Sequence, residues 1–183
     1  MRPHTVELVI ESKAGRRERS FSVGSVSGAR FSSRDTQGMR RELDTMIAED
    51  GHFTGATRTN PSIFRIGRYL LTQDGQVEVQ GTLTGCEAEV VAICTGDETF
   101  ISVGSDQCDR ELDPFFPDKP TQMCPHPIAR VGWPYAEVRD HWDDLRIYSH
   151  VEVAGHTIPL QDSPASTLVD LDYLLAMAQV QAL

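Results

Sequence analysis

Charged residues between positions 87 and 119 have the types and spacing of a metal-dependent site. Glu87 and Glu89 alternate, so on a β-strand both carboxylates would point to one face of the sheet. Asp106 follows in Gly104-Ser105-Asp106, about one hairpin later along the chain. Oxygen ligands of this kind suit a hard divalent cation. Paired like charges also need a cation between them, or one of them must hold a proton.

The alternative interpretation is two acids on the exposed face of an edge strand. The run that follows Glu89, residues 90–94, is continuously apolar and is typical of a buried, central strand. Glu is also unfavourable in strands unless something requires it. These two observations count against the edge-strand interpretation, and both interpretations stay open on spacing alone.

Two basic residues near the acids are candidates for holding substrate charge. Arg110 lies four residues after Asp106, and Asp109 lies between them, so one helical turn would bring the three together. An exposed ion pair is the simpler interpretation of that spacing. Lys119 lies between an aspartate and a proline, which limits its freedom. A cation there could bind a substrate carboxylate or stabilise an enolate, although most lysines are solvated surface charges.

Several other kinds of protein are disfavoured by composition and motif. The formal net charge of −10 argues against nucleic acid and against anionic membrane surfaces as partners. No apolar run approaches the length of a membrane helix, and the first 15 residues have no signal-peptide block, so we expect a cytoplasmic protein. The four cysteines form no CxxC pair and the histidines no HxH or HxxxH pair, which disfavours zinc. Nucleophile-elbow, Walker A and Rossmann glycine motifs are missing from the sequence.

The elements that must position these residues are mostly strands. Alternating apolar residues predict a hairpin within residues 1–30, and residues 89–94 and 99–103 predict two strands joined by a Gly96-Asp97 turn. Val77 and Val79 also alternate and suggest a strand. Segments 145–153 and 157–160 predict a second hairpin. Residues 62–73 have no clear pattern and are interpreted as an irregular segment lining a site.

Helices are expected at three places. Residues 32–50 carry a helical apolar stripe, with Asp35 as the N-cap. A short helix is predicted over residues 135–144, and an amphipathic helix over residues 166–183. Six prolines between positions 114 and 134 exclude regular structure over most of that segment. Its apolar residues nevertheless predict an ordered, extended wall packed on the core, here called the proline-rich segment (residues 114–134).

The acidic and basic residues resemble those of fumarylacetoacetate-hydrolase-like enzymes. These enzymes carry Glu-x-Glu on a strand, then Asn-Asp-x-(Ser/Thr)-x-Arg-Asp at a strand end, and then a lysine before a proline-rich stretch. The counterparts here are Glu87-Ala88-Glu89, residues 105–111 and Lys119. Ser105 stands in place of Asn, Glu111 in place of the final Asp, and the gap between the two motifs is short. The His-Glu base pair of the hydrolases is not recognisable, so the resemblance supports metal binding more than hydrolysis.

A closer resemblance, from about residue 31 to residue 153, is to the DUF2848 group within that superfamily. The segments that carry it are Ser33-Arg34-Asp35, Leu71-Thr72-Gln73, Gly104-Ser105-Asp106 with Asp109-Arg110, Lys119 with Gln122-Met123-Cys124-Pro125, and His141-Trp142-Asp143. The resemblance implies a mainly β (α+β) fold of the fumarylacetoacetase C-terminal type. In that fold a mixed, rolled sheet has a few peripheral helices. It implies a single domain over residues 1–183, and a homodimer.

The resemblance also implies a function. Glu87, Glu89 and Asp106 would hold Mg²⁺ or Mn²⁺. Arg110 and Lys119 would act in catalysis and substrate binding, with Gln73 as a further substrate contact. Asp109 is a candidate base, as is His52. The substrate would be a small oxo-acid or β-dicarbonyl compound, processed by C–C bond hydrolysis or decarboxylation through an enolate-like intermediate. The alternatives are a lyase or tautomerase with the same site, and a non-catalytic ligand-binding or structural relative.

Overall fold

The structure is a computed structural model, and it describes residues 4–50, 61–116 and 118–180. It is mainly β, with few helices, as expected. In chain order the strands are β1 (His4–Ser12), β2 (Gly15–Val23), β3 (Val26–Arg30), β4 (Ser62–Ile66), β5 (Leu71–Thr72), β6 (Thr84–Gly85), β7 (Ala88–Cys94), β8 (Thr99–Ser105), β9 (Cys108–Asp109), β10 (His126–Pro127), β11 (Val131–Pro134), β12 (Arg146–Val153) and β13 (His156–Pro164). The helices are α1 (Thr36–Asp50), α2 (Tyr135–Val138) and α3 (Leu171–Val180), with 3₁₀ turns at Arg68–Leu70, Pro120–Met123, Arg139–Asp144 and Ala165–Thr167.

A mixed five-stranded sheet in the order β2-β1-β11-β8-β7 forms the centre of the protein. The predicted N-terminal hairpin is confirmed as β1 and β2, and β1 also pairs in parallel with β11. Neighbouring residues of β8 face opposite sides, because side chains alternate along a strand. Phe100 joins the apolar cluster formed with Leu8 and Ile10, whereas Ile101 joins a second cluster around Trp142.

Four two-stranded pairs surround this sheet: β3 with β4, β5 with β10, β6 with β9, and β12 with β13. The last pair is the predicted second hairpin, although its return strand runs on to Pro164. Ala154 and Gly155 both have positive φ, which suits the tight turn between these strands. None of the helices among the described residues is long and apolar enough to cross a membrane.

Helix α1 is confirmed together with its N-cap, because Asp35 Oδ1 accepts the main-chain N–H of Gly38 at 2.9 Å. The C-terminal helix was predicted from residue 166 but begins at Leu171. Asp170 caps it by accepting the Tyr173 N–H, and residues 165–167 form a 3₁₀ turn instead. The segment predicted as a short helix is helical, but it is α-helical only as far as Val138 and is then 3₁₀.

Several other expectations were wrong, and one concerns residues outside the described part of the chain. Residues 62–73 are not irregular: they form β4, a 3₁₀ turn and β5. Val77 and Val79 lie in no strand, and residues 74–83 are mostly exposed. In the proline-rich segment Ile128 is buried, but Phe115, Phe116 and Met123 are largely exposed, so the wall packs on the core only in part. Residues 51–60, including His52, lie outside the described part of the chain.

Candidate metal centre

The three predicted ligands all lie at the open end of the β7–β8 hairpin. Glu89 is the second residue of β7 and pairs with Gly104 of β8. Glu87 comes just before β7, and Asp106 comes just after β8. The Asp106 N–H donates to the Glu87 carbonyl at 2.9 Å, which extends the hairpin beyond its last paired residues. The antiparallel register therefore brings together acids that are up to 19 residues apart in sequence.

Strand β7 is an edge strand of the sheet, which corrects the expectation of a central one. Its free edge is covered by a side chain from β13. The Gln161 Oε1 accepts the Ala88 N–H at 2.6 Å, and its Nε2 donates to the Ala88 carbonyl at 3.2 Å. The amide thus bonds the backbone as a neighbouring strand would. Because Ala88 separates the two glutamates, Gln161 fixes the backbone from which both carboxylates project.

Glu89 carries the strongest electrostatic signal of the site. Its pKa is raised from 4.5 to about 8, first because the carboxyl is buried, then because Asp106 and Glu87 add negative potential. No hydrogen bond or ion pair joins its side chain to another residue in the described ranges. A carboxyl in such surroundings without a counter-ion either holds a proton or binds a cation.

Asp106 is held against a buried histidine. Burial raises its pKa and Glu87 adds to the rise, whereas His126, Arg30 and Arg110 lower it. The Nδ1 of His126 lies 3.3 Å from the Asp106 Oδ1. That separation fits an ion pair, but the alignment is not that of a hydrogen bond, so Oδ1 stays buried without a hydrogen-bond partner in the described part of the protein.

Glu87 is paired with a cation instead. Its Oε1 accepts a hydrogen bond from Nη2 of Arg110. Arg110 also contacts Asp113 Oδ2 at 3.4 Å, and Arg30 contacts Asp113 Oδ1 at 3.2 Å. The result is a chain of alternating charge, Glu87–Arg110–Asp113–Arg30. Gly85 makes room for it, because a Cβ at that position would overlap the Arg110 guanidinium.

Three other predicted residues are engaged elsewhere. Asp109 Oδ1 accepts the main-chain N–H groups of Glu111 and Leu112, at 2.9 and 3.3 Å. The Lys119 ammonium lies 4.5 Å from the centre of the Phe116 ring and makes no ion pair with the acids in the described structure. The Gln73 amide bonds both the N–H and the carbonyl of Glu7, each at 2.8 Å. Their catalytic and substrate-binding roles stay predictions.

Sequence reasoning missed four residues of this site: Arg30, Asp113, His126 and Gln161. Each lies outside β7 and β8, and no short sequence motif marks it as part of the site. His126 had the only available signal, since a histidine between two prolines in an apolar segment has little freedom. Arg30 lies on β3 and Gln161 on β13, and both strands are far from the β7–β8 hairpin in the sequence.

The acids are oxygen donors of the kind that bind a divalent cation, but their present arrangement does not place them around one ion. Among the described residues, Asp106 offers a buried oxygen that accepts no hydrogen bond, and Glu89 offers a carboxyl without a counter-ion. Yet no three His, Cys, Asp or Glu side chains of the described ranges converge closely enough to hold one ion. The Glu87–Arg110 pair is one reason, since Glu87 would have to leave Arg110 to become a ligand.

A second cluster joins the N-terminal part of the chain to its C-terminal part. Arg34 makes two hydrogen bonds to the Asp143 carboxylate, at 2.8 and 3.0 Å, and a third to the Leu168 carbonyl at 3.0 Å. The guanidinium lowers the pKa of Asp143. The pair borders a recess of about 540 Å³ that is also lined by Tyr135 and Trp142. This contact connects two of the segments that carried the family resemblance.

The sequence model of one family, described as "Protein of unknown function (DUF2848)", matches residues 29–183. The chain belongs to this family. No curated protein matches the sequence. A solved structure titled "Crystal structures of Cg1458" is similar, with a TM-score of 0.55 at 15% sequence identity. The alignment covers 71% of this chain and 57% of that one, so the DUF2848 chain spans little more than half the length of Cg1458. At this identity the likeness shows a shared fold.

Proposed function

We propose that this DUF2848 protein is a divalent-metal-dependent enzyme of the fumarylacetoacetate-hydrolase-like type. Its substrate is a small oxo-acid or β-dicarbonyl compound, and Glu87, Glu89 and Asp106 hold Mg²⁺ or Mn²⁺. The observation that carries the proposal is the partly buried Glu89 carboxyl, which lies beside two further acids, has a raised pKa and has no counter-ion within the described residues. Burying an ionised carboxylate is costly unless a cation compensates it, and oxygen donors favour these two metals.

The residues around the acids have separate tasks in this proposal. When bound, the ion supplies Lewis-acid polarisation of the substrate's keto oxygen. Arg110 is half exposed and already binds two carboxylates, so it is the group best suited to a substrate carboxylate. A substrate acid would take the place that Glu87 now holds on the guanidinium. Lys119 adds positive charge from the proline-rich segment.

The reaction we favour is C–C bond hydrolysis or decarboxylation through an enolate-like intermediate. A lyase or tautomerase would use the same acids and the same arginine. The identity of the base distinguishes these reactions. Asp109 is occupied by its own turn, and His126 is held between Asp106 and a main-chain carbonyl. His52, the other candidate, lies outside the described residues.

A non-catalytic ligand-binding protein is the second candidate. It is supported by the Glu87–Arg110 ion pair, which neutralises one of the three acids without any metal. In that case Arg110 and Arg30 would bind an anionic ligand, and no chemistry would follow.

The proposal also includes a rolled sheet of the superfamily type, a homodimer and a cytoplasmic location. The mixed central sheet agrees with the first. The exposed apolar side chains of the β12–β13 hairpin, such as Tyr148 and Leu160, suit an interface between two copies. Light scattering after size-exclusion chromatography tests the dimer.

The decisive experiment is calorimetric titration of the protein with Mn²⁺, followed by a substrate panel read by NMR. We expect the wild type to bind one ion and Glu89→Gln to lose that binding. Glu78→Gln, at an exposed position between β5 and β6, is the matched control. Oxaloacetate, acylpyruvates and related diketones form the panel. A wild type that binds no ion contradicts the enzyme, whereas an ion without turnover favours the second candidate.

A further inference from the structure

His126 is one of the few buried polar residues in the described part of the chain, and it lies where two structural elements meet. It belongs to β10, which pairs in parallel with β5, and its side chain is only 6% exposed. On one side of the ring is the Thr121 main-chain carbonyl, and on the other is the Asp106 carboxylate. The carbonyl is hydrogen-bonded to the ring, whereas the carboxylate lies within ion-pair distance of it without a hydrogen bond.

The position of one ring proton follows from the partner at Nε2. A carbonyl oxygen can only accept, so Nε2 carries a proton and donates it to Thr121 O at 2.7 Å. That carbonyl is itself held in place, because the Thr121 hydroxyl donates to the Asp118 carbonyl at 3.0 Å and the residue is completely buried. The ring plane is therefore fixed from the proline-rich segment, and Nδ1 is left facing Asp106.

We propose that His126 is the positioning residue of Asp106, which means that its Nδ1 edge fixes the direction in which that carboxylate points. Asp106 Oδ1 has no hydrogen-bond partner among the described residues, and Nδ1 lies 3.3 Å from it. Without the imidazole, the carboxylate could turn away from Glu89. The inference rests on the proposed function, since Asp106 is one of the three proposed ligands. Groups that orient a ligand in this way typically change metal affinity by about 10–100-fold.

Two substitutions separate positioning from a purely structural role. In His126→Asn the amide nitrogen reaches about as far as Nδ1, so the contact with Asp106 is kept and the bond to Thr121 is lost. In His126→Gln the amide reaches about as far as Nε2, so the bond to Thr121 is kept and the contact with Asp106 is lost. We expect His126→Asn to bind Mn²⁺ about as tightly as the wild type, and His126→Gln to bind it about 10–100-fold more weakly.

The reverse order of affinities, or an equal loss in both variants, would overturn the inference, because either result assigns His126 to holding the proline-rich segment. Crystal structures of the ion-free variants give a second readout that needs no metal. The Asp106 side-chain torsion should match the wild type in His126→Asn and differ in His126→Gln, and an unchanged torsion in both would also overturn it. A wild type that binds no Mn²⁺ refutes the proposed function and leaves the torsions to decide this inference. If neither variant folds, Thr121→Val, which keeps the ring and its contact with Asp106 and removes only the hydroxyl that holds the Thr121 backbone, should bind Mn²⁺ about as tightly as the wild type. A loss of about 10–100-fold in that variant would assign the affinity to the proline-rich segment and overturn the inference.

Discussion

Replacing Glu89 by glutamine should change how the stability of the ion-free protein depends on pH. The folded-state pKa of Glu89 is about 8, against an ordinary value of 4.5. Because the folded value is the higher one, the stability associated with the protonated carboxyl is complete below about pH 4.5 and is lost as the pH rises towards 8. Glutamine cannot ionise, so the variant should not suffer this loss.

The magnitude follows from linkage at about 1.4 kcal/mol for each pH unit within that window. Between about pH 5 and about pH 8, wild type should lose roughly 3 kcal/mol of unfolding free energy relative to Glu89→Gln. Any fixed cost of burying the amide cancels, because it is the same at both pH values. Urea unfolding in EDTA measures the difference, which corresponds to a shift of the midpoint by about 1–2 M.

The exposed Glu78→Gln variant controls for removing one negative charge from a chain of net charge −10. Its stability difference from wild type should change little between the two pH values. If the Glu89→Gln and wild-type stabilities run parallel with pH, the Glu89 carboxyl is not carrying an uncompensated burial cost. The central observation behind the metal site would then be wrong.

Three further predictions concern the same end of the β7–β8 hairpin. Metal binding must displace the Glu89 proton, so the Mn²⁺ dissociation constant should fall about tenfold for each pH unit up to about pH 8 and then level off; calorimetry that finds a constant affinity contradicts this. Gln161→Leu removes both bonds to the Ala88 backbone and should cost about 1–3 kcal/mol in urea unfolding, with weaker Mn²⁺ binding. Gly104→Ala places a Cβ 2.9 Å from a carbonyl oxygen of β10 and should cost about 1–3 kcal/mol, whereas Gly75→Ala, which meets open space, should be nearly neutral in the same assay.

The local part of the fold could be predicted from sequence because the interactions that set it are themselves local. The β1–β2 hairpin follows from the alternation of Val6, Leu8 and Ile10 in β1, and helix α1 from its apolar stripe and the Asp35 cap. The β7–β8 hairpin follows from two apolar runs and a turn. Strands of two residues, such as β5 and β10, are too short to show an alternating pattern, and sequence reasoning did not identify them as strands.

The candidate site was predictable in its acids and not in their partners. Glu87, Glu89 and Asp106 belong to one hairpin, so their spacing predicts that they meet. Apart from Arg110, which the sequence analysis also named, the groups that support the site come from far along the chain: Gln161 is 73 residues from Ala88, and Arg30 is 83 residues from Asp113. Such contacts are decided by how whole elements pack. The edge position of β7 has the same origin, because an apolar run looks alike in a central strand and in an edge strand covered by another hairpin.

The charges of the site explain why a proton and a metal ion would exclude each other there. Four carboxylates, on Glu87, Glu89, Asp106 and Asp113, face two guanidiniums, on Arg30 and Arg110. Asp113 forms ion pairs with both guanidiniums, and Glu87 forms an ion pair with that of Arg110.

Loss of hydration raises the pKa of Glu89 to about 8, and the negative potential of Asp106 and Glu87 adds to the rise, since no cation of the described residues pairs with this carboxyl. At neutral pH the Glu89 carboxyl of the ion-free site therefore holds a proton, which lowers the negative charge of the site. A divalent ion would replace that proton and would also compete with Arg110 for Glu87. The released guanidinium would then be free for an anionic substrate, so that metal binding and substrate binding would favour each other. A reciprocal test follows, because oxaloacetate should tighten Mn²⁺ binding in the wild type and should not do so in Arg110→Gln.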